Sequence, residues 1–299
     1  MATFVSVDLD DLACYHAIHG LDAPETAEAH AVVLERCLPR FLELFAAADV
    51  HATFFVIGRD LERDLATGGK GAALLRQARK AGHELANHSY AHDYRMVTWS
   101  AVEMARDLGA CDRLLRELGE TPVGFRAPGY THDRTLLAQV AAQGYRYDSS
   151  SLPAPLYYAA KRGVMTWMRL RGRASASHDG GAASFFGPTH PYFMSELGLW
   201  EVPMSVSRFA RLPLIGTTLL AGPDALSARL RNEAAARSSL VLELHGLDLA
   251  DPETDGLARE LVSKEPVLAV PLETRRERLR TLLVARGGGG TIRGGLTRG

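Results

Sequence analysis

His83-Glu84-Leu85-Ala86-Asn87-His88-Ser89-Tyr90-Ala91-His92-Asp93 decides how the rest of the chain is read. Its first five residues read as a short strand that delivers His88, and polar and small residues follow. If the chain turns helically after the strand, His88 and His92 lie on one face, with Cβ atoms about 5–6 Å apart. Two imidazoles at that separation can hold one metal ion. The bland alternative is a pair of surface histidines on a polar loop, and eleven histidines produce such pairs by chance. The neighbouring segments have to choose between the two.

Working outward, Ala52-Thr53-Phe54-Phe55-Val56-Ile57-Gly58 is apolar nearly throughout, which suits a parallel strand buried on both faces. A helix is expected around 72–81, stopped by Gly82. Upstream, Phe4-Val5-Ser6-Val7 reads as a strand ending in Asp8-Leu9-Asp10-Asp11. Carboxylates so crowded repel unless they are solvated or bind a cation, although an Asp-capped turn is an equal alternative. Residues 24–48 carry apolar residues at helical spacing, with Pro39 expected to split the element. Downstream, a helix over 99–118 has Ser100 as its cap. Pro122-Val123-Gly124-Phe125 is a strand ending in Arg126-Ala127-Pro128-Gly129-Tyr130. A helix over 132–143 leads to Tyr145-Arg146-Tyr147 and then Asp148-Ser149-Ser150-Ser151. A helix over 224–237 precedes the apolar strand Leu240-Val241-Leu242-Glu243-Leu244, which ends in His245. A charged amphipathic helix covers 272–285. Strand, polar loop and helix recur, the pattern of an α/β chain with parallel strands.

Residues 152–199 break that rhythm with Pro153, Pro155, Pro188 and Pro191, a basic run from Arg169 to Arg173 and a Gly/Ser-rich run from Ala174 to Ser184. They read as an irregular excursion over the face of one domain spanning 1–285. Its aromatic residues Tyr157, Tyr158, Phe185, Phe186 and Tyr192, with Pro191, line a substrate wall or form a small core. Leu212-Pro213-Leu214-Ile215-Gly216 with Leu219-Leu220 is a greasy rim or, more plainly, core. Residues 286–299, rich in Gly and basic, read as a flexible tail.

Composition narrows the function. The chain has 299 residues, 46% hydrophobic, with 34 Lys+Arg against 35 Asp+Glu. No basic excess calls for nucleic acid. The three cysteines, Cys14, Cys37 and Cys111, are far apart and form no CxxC, which suits free thiols in a reducing compartment. Met1-Ala2 runs straight into the first strand, without a secretion-signal pattern, and no apolar stretch is long enough for a membrane span. The expectation is a cytoplasmic protein, compatible with a homo-oligomer.

Each chemically capable residue sits just past a strand end: Asp8 and Asp10, His88 and His92, Arg126, Asp148, and His245. In parallel α/β folds ligands bind at that end. The ordered segments Asp8-Leu9-Asp10, His88-Ser89-Tyr90-Ala91-His92, Arg126-Ala127-Pro128, Tyr147-Asp148-Ser149-Ser150 and Leu244-His245 resemble the five motifs of the polysaccharide deacetylases, the NodB-homology enzymes of carbohydrate esterase family 4. The resemblance covers residues 3 to about 248. It implies an irregular (β/α) barrel with seven strands and an open side. The departures are Leu9 between the two aspartates, Gly129 before Tyr130, and a fourth motif without tryptophan. The Asp-x-Asp form resembles a cytoplasmic branch that includes allantoinase-like and peptidoglycan-deacetylase-like proteins, and these changes point away from a chitin-like polymer.

The resemblance also implies roles. Asp10, His88 and His92 would hold one divalent ion, Zn2+ expected, with Co2+, Ni2+ or Fe2+ as alternatives, leaving positions open for water. Asp11 is the competing carboxylate, as ligand or as cap. Asp8 would act as general base, paired with and oriented by Arg126. A backbone N–H near Gly129 or Tyr130 would meet the oxyanion. His245 would protonate the leaving amine, kept cationic by Asp148. In isolation, Asp8–Arg126 reads as a structural ion pair, His245 as a core histidine and Asp148 as a turn cap. His132, His178 and His190 read as surface or loop residues. The expected activity is N-deacetylation of an acetylated amino sugar, small, nucleotide-linked or lipid-linked. The alternatives are hydrolysis of a formamide or cyclic amide, and a non-catalytic carbohydrate-binding protein.

Overall fold

The computed structural model describes residues 2–24, 26–171, 175–176 and 185–296. Part of the basic run, most of the Gly/Ser-rich run with His178, and the last three residues lie outside them. Among the described residues, the strands are β1 (Ala2–Asp8), β2 (Thr53–Val56), β3 (Glu84–Asn87), β4 (Gly124–Phe125), β5 (Tyr147–Asp148), β6 (Tyr192–Met194), β7 (Leu199–Glu201) and β8 (Ser239–His245). They form one curled sheet in the order β6-β7-β5-β4-β3-β2-β1-β8. Every pairing is parallel except β6 with β7. The seven parallel strands make the expected irregular barrel. Between its edge strands β7 and β8, Ser205 bridges the gap. Its N–H donates to the Val241 carbonyl at 3.0 Å, and its Oγ accepts from the Val241 N–H at 2.9 Å.

The apolar strands are buried on both faces, as parallel strands flanked by helices must be. In β2, Phe54 and Val56 pack outward against Phe45 and Leu115 in the main core. Phe55 points the other way, into a cluster with Ala86, Tyr147, Val202 and Val241. This is the period of two that puts alternate side chains on opposite faces. Gly124 in β4 is required by packing, because a Cβ there would meet the Tyr147 ring at 1.9 Å.

Helices fill the connections much as the patterning indicates. Ala101–Glu117 starts at Ser100 in a full capping box with Glu103. The element over 24–48 splits into Ala27–Ala31, a π-helical turn Val32–Cys37, and Leu38–Ala47 with Pro39 in its first turn. Proline supplies no N–H, and a wider turn before it absorbs the break. Leu12–His19 and Gly58–Ala66 are among the helices the patterning does not indicate.

Two expectations need correction. The excursion is not irregular throughout, since Pro155–Leu170 is a helix and β6–β7 a hairpin. The segment read as a flexible tail is built into the fold over 287–296. Gly289 and Gly290 exchange backbone hydrogen bonds with Asp49, His51, Thr3 and Val5 at 2.8–3.3 Å. Ile292 is fully buried and closes the N-terminal end of the barrel, with Leu296 in the same cluster. The Ile292 N–H donates to Thr53 Oγ1, and Arg293 N–H to Glu84 Oε2, both at 3.0 Å. Glycine-rich composition here serves close backbone approach. A Cβ on Gly288 would lie 2.4 Å from the Asp49 carbonyl oxygen.

Candidate active site

Strand register aligns the functional residues. Asp8 stands opposite His245, Asn87 opposite Phe125, and Phe125 opposite Asp148. The residues that follow these positions converge on one end of the barrel. There a cavity of 430 Å³ is lined by Asp8, Asp10, His88, Gly129, Tyr130 and His245, among others. His92 and Arg126 are buried in direct contact with this floor. Asp148 is not part of it.

Asp10, His88 and His92 form the first cluster. His88 Nε2 and His92 Nε2 are 3.3 Å apart, and Asp10 Oδ1 is 3.3 and 3.4 Å from them. A tetrahedral ion with ligand bonds of about 2.1 Å has edges of about 3.4 Å. The His88 Nδ1–H donates to the Arg126 carbonyl at 2.8 Å, and His92 Nδ1 lies 3.5 Å from the Cys14 thiol. Both Nε2 atoms are thereby left to turn inward. Asp10 Oδ1 is buried and makes no hydrogen bond among the described residues. Burial alone would push the Asp10 carboxyl up, but His92 and His88 outweigh it and hold it well below the usual carboxylate range. Burial lowers His92 in turn. A buried anion facing two ring nitrogens, with an orphaned oxygen between them, fits a divalent cation.

The histidine pair is not on a helix. Residues 88–93 form a loop with Ser89 at φ 67° and His92 at φ 49°, left-handed values that are strained for these residues. Polar side chains pin the loop. Asn87 Oδ1 accepts from the Ser89 N–H at 2.7 Å, and Ser89 Oγ from the His92 N–H at 3.0 Å. The Asp107 carboxylate takes the Tyr90 and Ala91 N–H groups, each at 2.8 Å.

The second cluster contains Asp8, Arg126 and His245. Arg126 Nη1 is 2.5 Å from Asp8 Oδ1. Its other nitrogens reach the Ser149 carbonyl (2.7 Å), Ser149 Oγ (2.9 Å) and Ser6 Oγ (3.1 Å), and its guanidinium lies 4.1 Å from the Phe55 ring centre. His245 Nδ1 is 3.1 Å from Glu243 Oε1, and its backbone N–H donates to Asp248 Oδ2 at 2.9 Å. The Tyr130 hydroxyl donates to Glu243 Oε1 at 3.0 Å and lies 3.4 Å from His245 Nε2. Burial would lower the His245 pKa, but Glu243 first, then Asp10, Asp8 and Asp248, outweigh it and push it up to about 9. Burial pushes Glu243 itself up to about 7, against the pull of His245.

Three site expectations change. Asp148 does not support His245. Its carboxylate accepts from the Ser150 N–H (3.0 Å) and Ser150 Oγ–H (2.7 Å), an Asx-type turn, and Ser150 Oγ in turn accepts from the Ala127 N–H at 2.8 Å. Asp148 thus braces the Arg126-Ala127 loop from behind. Tyr130 does not offer its backbone N–H, which donates to the Ala127 carbonyl at 3.2 Å. Gly129, at φ 61°, remains on the cavity wall, where a Cβ would meet the Tyr94 ring at 2.6 Å. His132 is buried beside Ser151 Oγ at 3.0 Å. Asp10 and Asp11 part ways in their contacts, with only Asp10 within 3.4 Å of both imidazoles. Asp11 caps helix Leu12–His19 through the Ala13 N–H and pairs with Arg63 and His30, each at 2.7 Å. Glu243 was missed, although a carboxylate inside Leu240-Val241-Leu242-Glu243-Leu244 is itself a signal, because a charge in a buried strand needs a partner.

Residues 28–147 match the family model described as polysaccharide deacetylase, a stretch that contains His88, His92 and Arg126 but not Asp8, Asp10 or His245. A peptidoglycan deacetylase of Helicobacter pylori is 26% identical over 146 residues, 48% of this chain and 47% of that protein. An uncharacterised 30.6 kDa protein of Geobacillus stearothermophilus is 33% identical over 109 residues, 36% of this chain and 38% of that one. The chain thus spans less than half the length of these curated relatives. Among solved structures, a proposed polysaccharide deacetylase from Mycobacterium smegmatis aligns over 100% of this chain and 94% of its own, with TM-score 0.59 and 20% identity. Puue allantoinase aligns over 96% and 86%, with TM-score 0.52 and 17% identity. At such identities the structural likeness speaks for the fold alone.

Proposed function

We propose, because the chain belongs to the polysaccharide deacetylase family (NodB homology, carbohydrate esterase family 4), that it is a metal-dependent amidohydrolase that deacetylates an N-acetylated amino sugar or sugar conjugate. The observation that carries this reading is the pair of inward imidazole nitrogens with the orphaned Asp10 oxygen, 3.3–3.4 Å apart, beside an independent acid and base. Asp10, His88 and His92 would hold the ion, with Zn2+ expected and Co2+, Ni2+ or Fe2+ as alternatives. Such an ion supplies Lewis acidity toward the amide carbonyl and the attacking water. Asp8 takes the proton from that water, and Arg126 holds its carboxylate in place. The Gly129 N–H is the backbone donor this chain can offer to the developing oxyanion. His245 gives its proton to the departing nitrogen, and Glu243 with the Tyr130 hydroxyl orients its ring. Asp8, Arg126 and His245 together argue against a non-catalytic carbohydrate binder, which needs neither base nor acid.

The three cysteines are buried free thiols, which supports a cytoplasmic address. Among the described residues, no helix is long and apolar enough to cross a membrane. The half-enclosed cavity also suits a small formamide or cyclic amide. Acetate and formate release by the metal-loaded protein from a panel of N-acetyl sugars and small amides tests the reading. Acetate from an amino sugar is the expected result. No hydrolysis of any member would refute it, and formate or ring opening alone would move it to the second class.

A further inference from the structure

We propose that the cavity above the catalytic floor is a hydrocarbon site, so that the substrate is an amphiphile with an apolar chain beside its amide. This rests on the hydrolase reading for the substrate's identity, but the site itself stands on its walls. Ile18 enters from helix Leu12–His19, and Leu247 and Val267 from the turns after β8. Val164, Met165 and Met168 enter from helix Pro155–Leu170. Their spacing turns one face of that helix toward the cavity.

The floor carries Asp8, Asp10, His88 and His245, and the walls add a few polar groups, Lys161, Ser175, Thr217 and Thr218, to a mostly apolar surface. At the rim, His19 and Glu265 engage each other at 2.7 Å. A sugar pressed against the surface made by Ile18, Val164, Met165, Met168, Leu247 and Val267 would lose water from its hydroxyls and gain no partners from those side chains, whereas a methylene chain loses nothing there. Methionine side chains adapt to chains of varied shape. The apolar surface also continues outward. Val164, on the lip, is 58% exposed, and on the same helix Trp167 is 53% and Leu170 83% exposed. A chain longer than the cavity therefore has a path out along Pro155–Leu170.

The chain could belong to the acyl group or to the amine side, for example as a glycoside. Isothermal titration of the metal-loaded protein below micellar concentrations separates them. One arm uses methyl, butyl and octyl glycosides of N-acetylglucosamine; the other uses N-acetyl, N-butanoyl and N-octanoyl glucosamine. Binding should tighten about fourfold per added methylene in one arm until the cavity is filled. The responding arm names the side. Val164→Glu should flatten that dependence, and Met165→Ala should weaken it. Affinity independent of chain length in both arms, or absent binding, overturns the proposal. Chain-dependent binding without any hydrolysis would instead count against deacetylation and leave the site standing.

Discussion

Two clusters of carboxylates and imidazoles sit side by side at the end of the barrel. One is Asp10, His88 and His92; the other is Asp8, Glu243 and His245. The difference is where positive charge comes from. In the second cluster, Arg126 pairs with Asp8, and Glu243 shares His245 and the Tyr130 hydroxyl. Among the described residues Glu243 Oε2 has no hydrogen bond, and burial pushes the carboxyl up to about 7. In the first cluster, each imidazole has its Nδ1 engaged from behind, and no Lys or Arg reaches the inner nitrogens or Asp10 among the described residues. Under the proposed function, these similar side chains therefore divide into a proton-handling half and a cation-requiring half.

The largest expected effect breaks the cation-requiring half. His88→Ala, or chelation, should remove the bound ion and reduce hydrolysis to background. Metal analysis of both proteins alongside acetate release checks this, and equal metal content in wild type and variant would remove the basis for the site. Next comes the proton-handling half. Asp8→Asn should keep one ion per chain and lose about 10²- to 10⁴-fold in kcat. A variant within tenfold of wild type would show that Asp8 is not the base.

A smaller effect sharpens the second cluster. His245 must be protonated to act as acid, and its pKa is pushed up to about 9. Activity should therefore hold below that pH and fall as pH rises through it. Glu243→Gln removes the leading upward influence, so the alkaline limb should move down by about one to two pH units. Asp148→Asn should leave the limb in place, because Asp148 acts on Ser150 and the Arg126 loop. If the two variants exchanged these outcomes, the assignment of Glu243 would be wrong.

This contrast marks how far the sequence could be read. Residues at strand ends were legible, because apolar runs such as Thr53-Phe54-Phe55-Val56 announce buried parallel strands, and such strands aim their ends at one site. Partners supplied from within strands or through local turns were not. Asp148 ends a strand just as Asp8 does, yet an Asx turn two residues long captures it. Glu243 lies two residues before His245 and reaches it because alternate residues share a strand face. The loop at 88–93 looked helical by spacing, whereas its shape comes from Asp107, distant in sequence. Helical spacing was present in Pro155–Leu170 but obscured by flanking prolines. At 287–296 glycine signalled backbone contact where composition suggested freedom.

The smallest effect separates adjacent carboxylates. Asp11 is a cap, accepting from the Ala13 N–H at 2.9 Å and holding Arg63 and His30. Loss of an N-cap costs about 1 kcal/mol, with a little more from partly exposed partners. Asp11→Ala should therefore lower the urea midpoint modestly, with the slope of the transition unchanged. It should retain one ion per chain. Asp10→Ala should lose the ion and leave the helix cap in place. The decisive quantity is metal stoichiometry at matched folded fraction, since stability alone would move in both. An Asp11→Ala protein that folds but binds no metal would transfer the ligand role to Asp11, and the cation-requiring half of the comparison would need to be redrawn around the start of helix Leu12–His19.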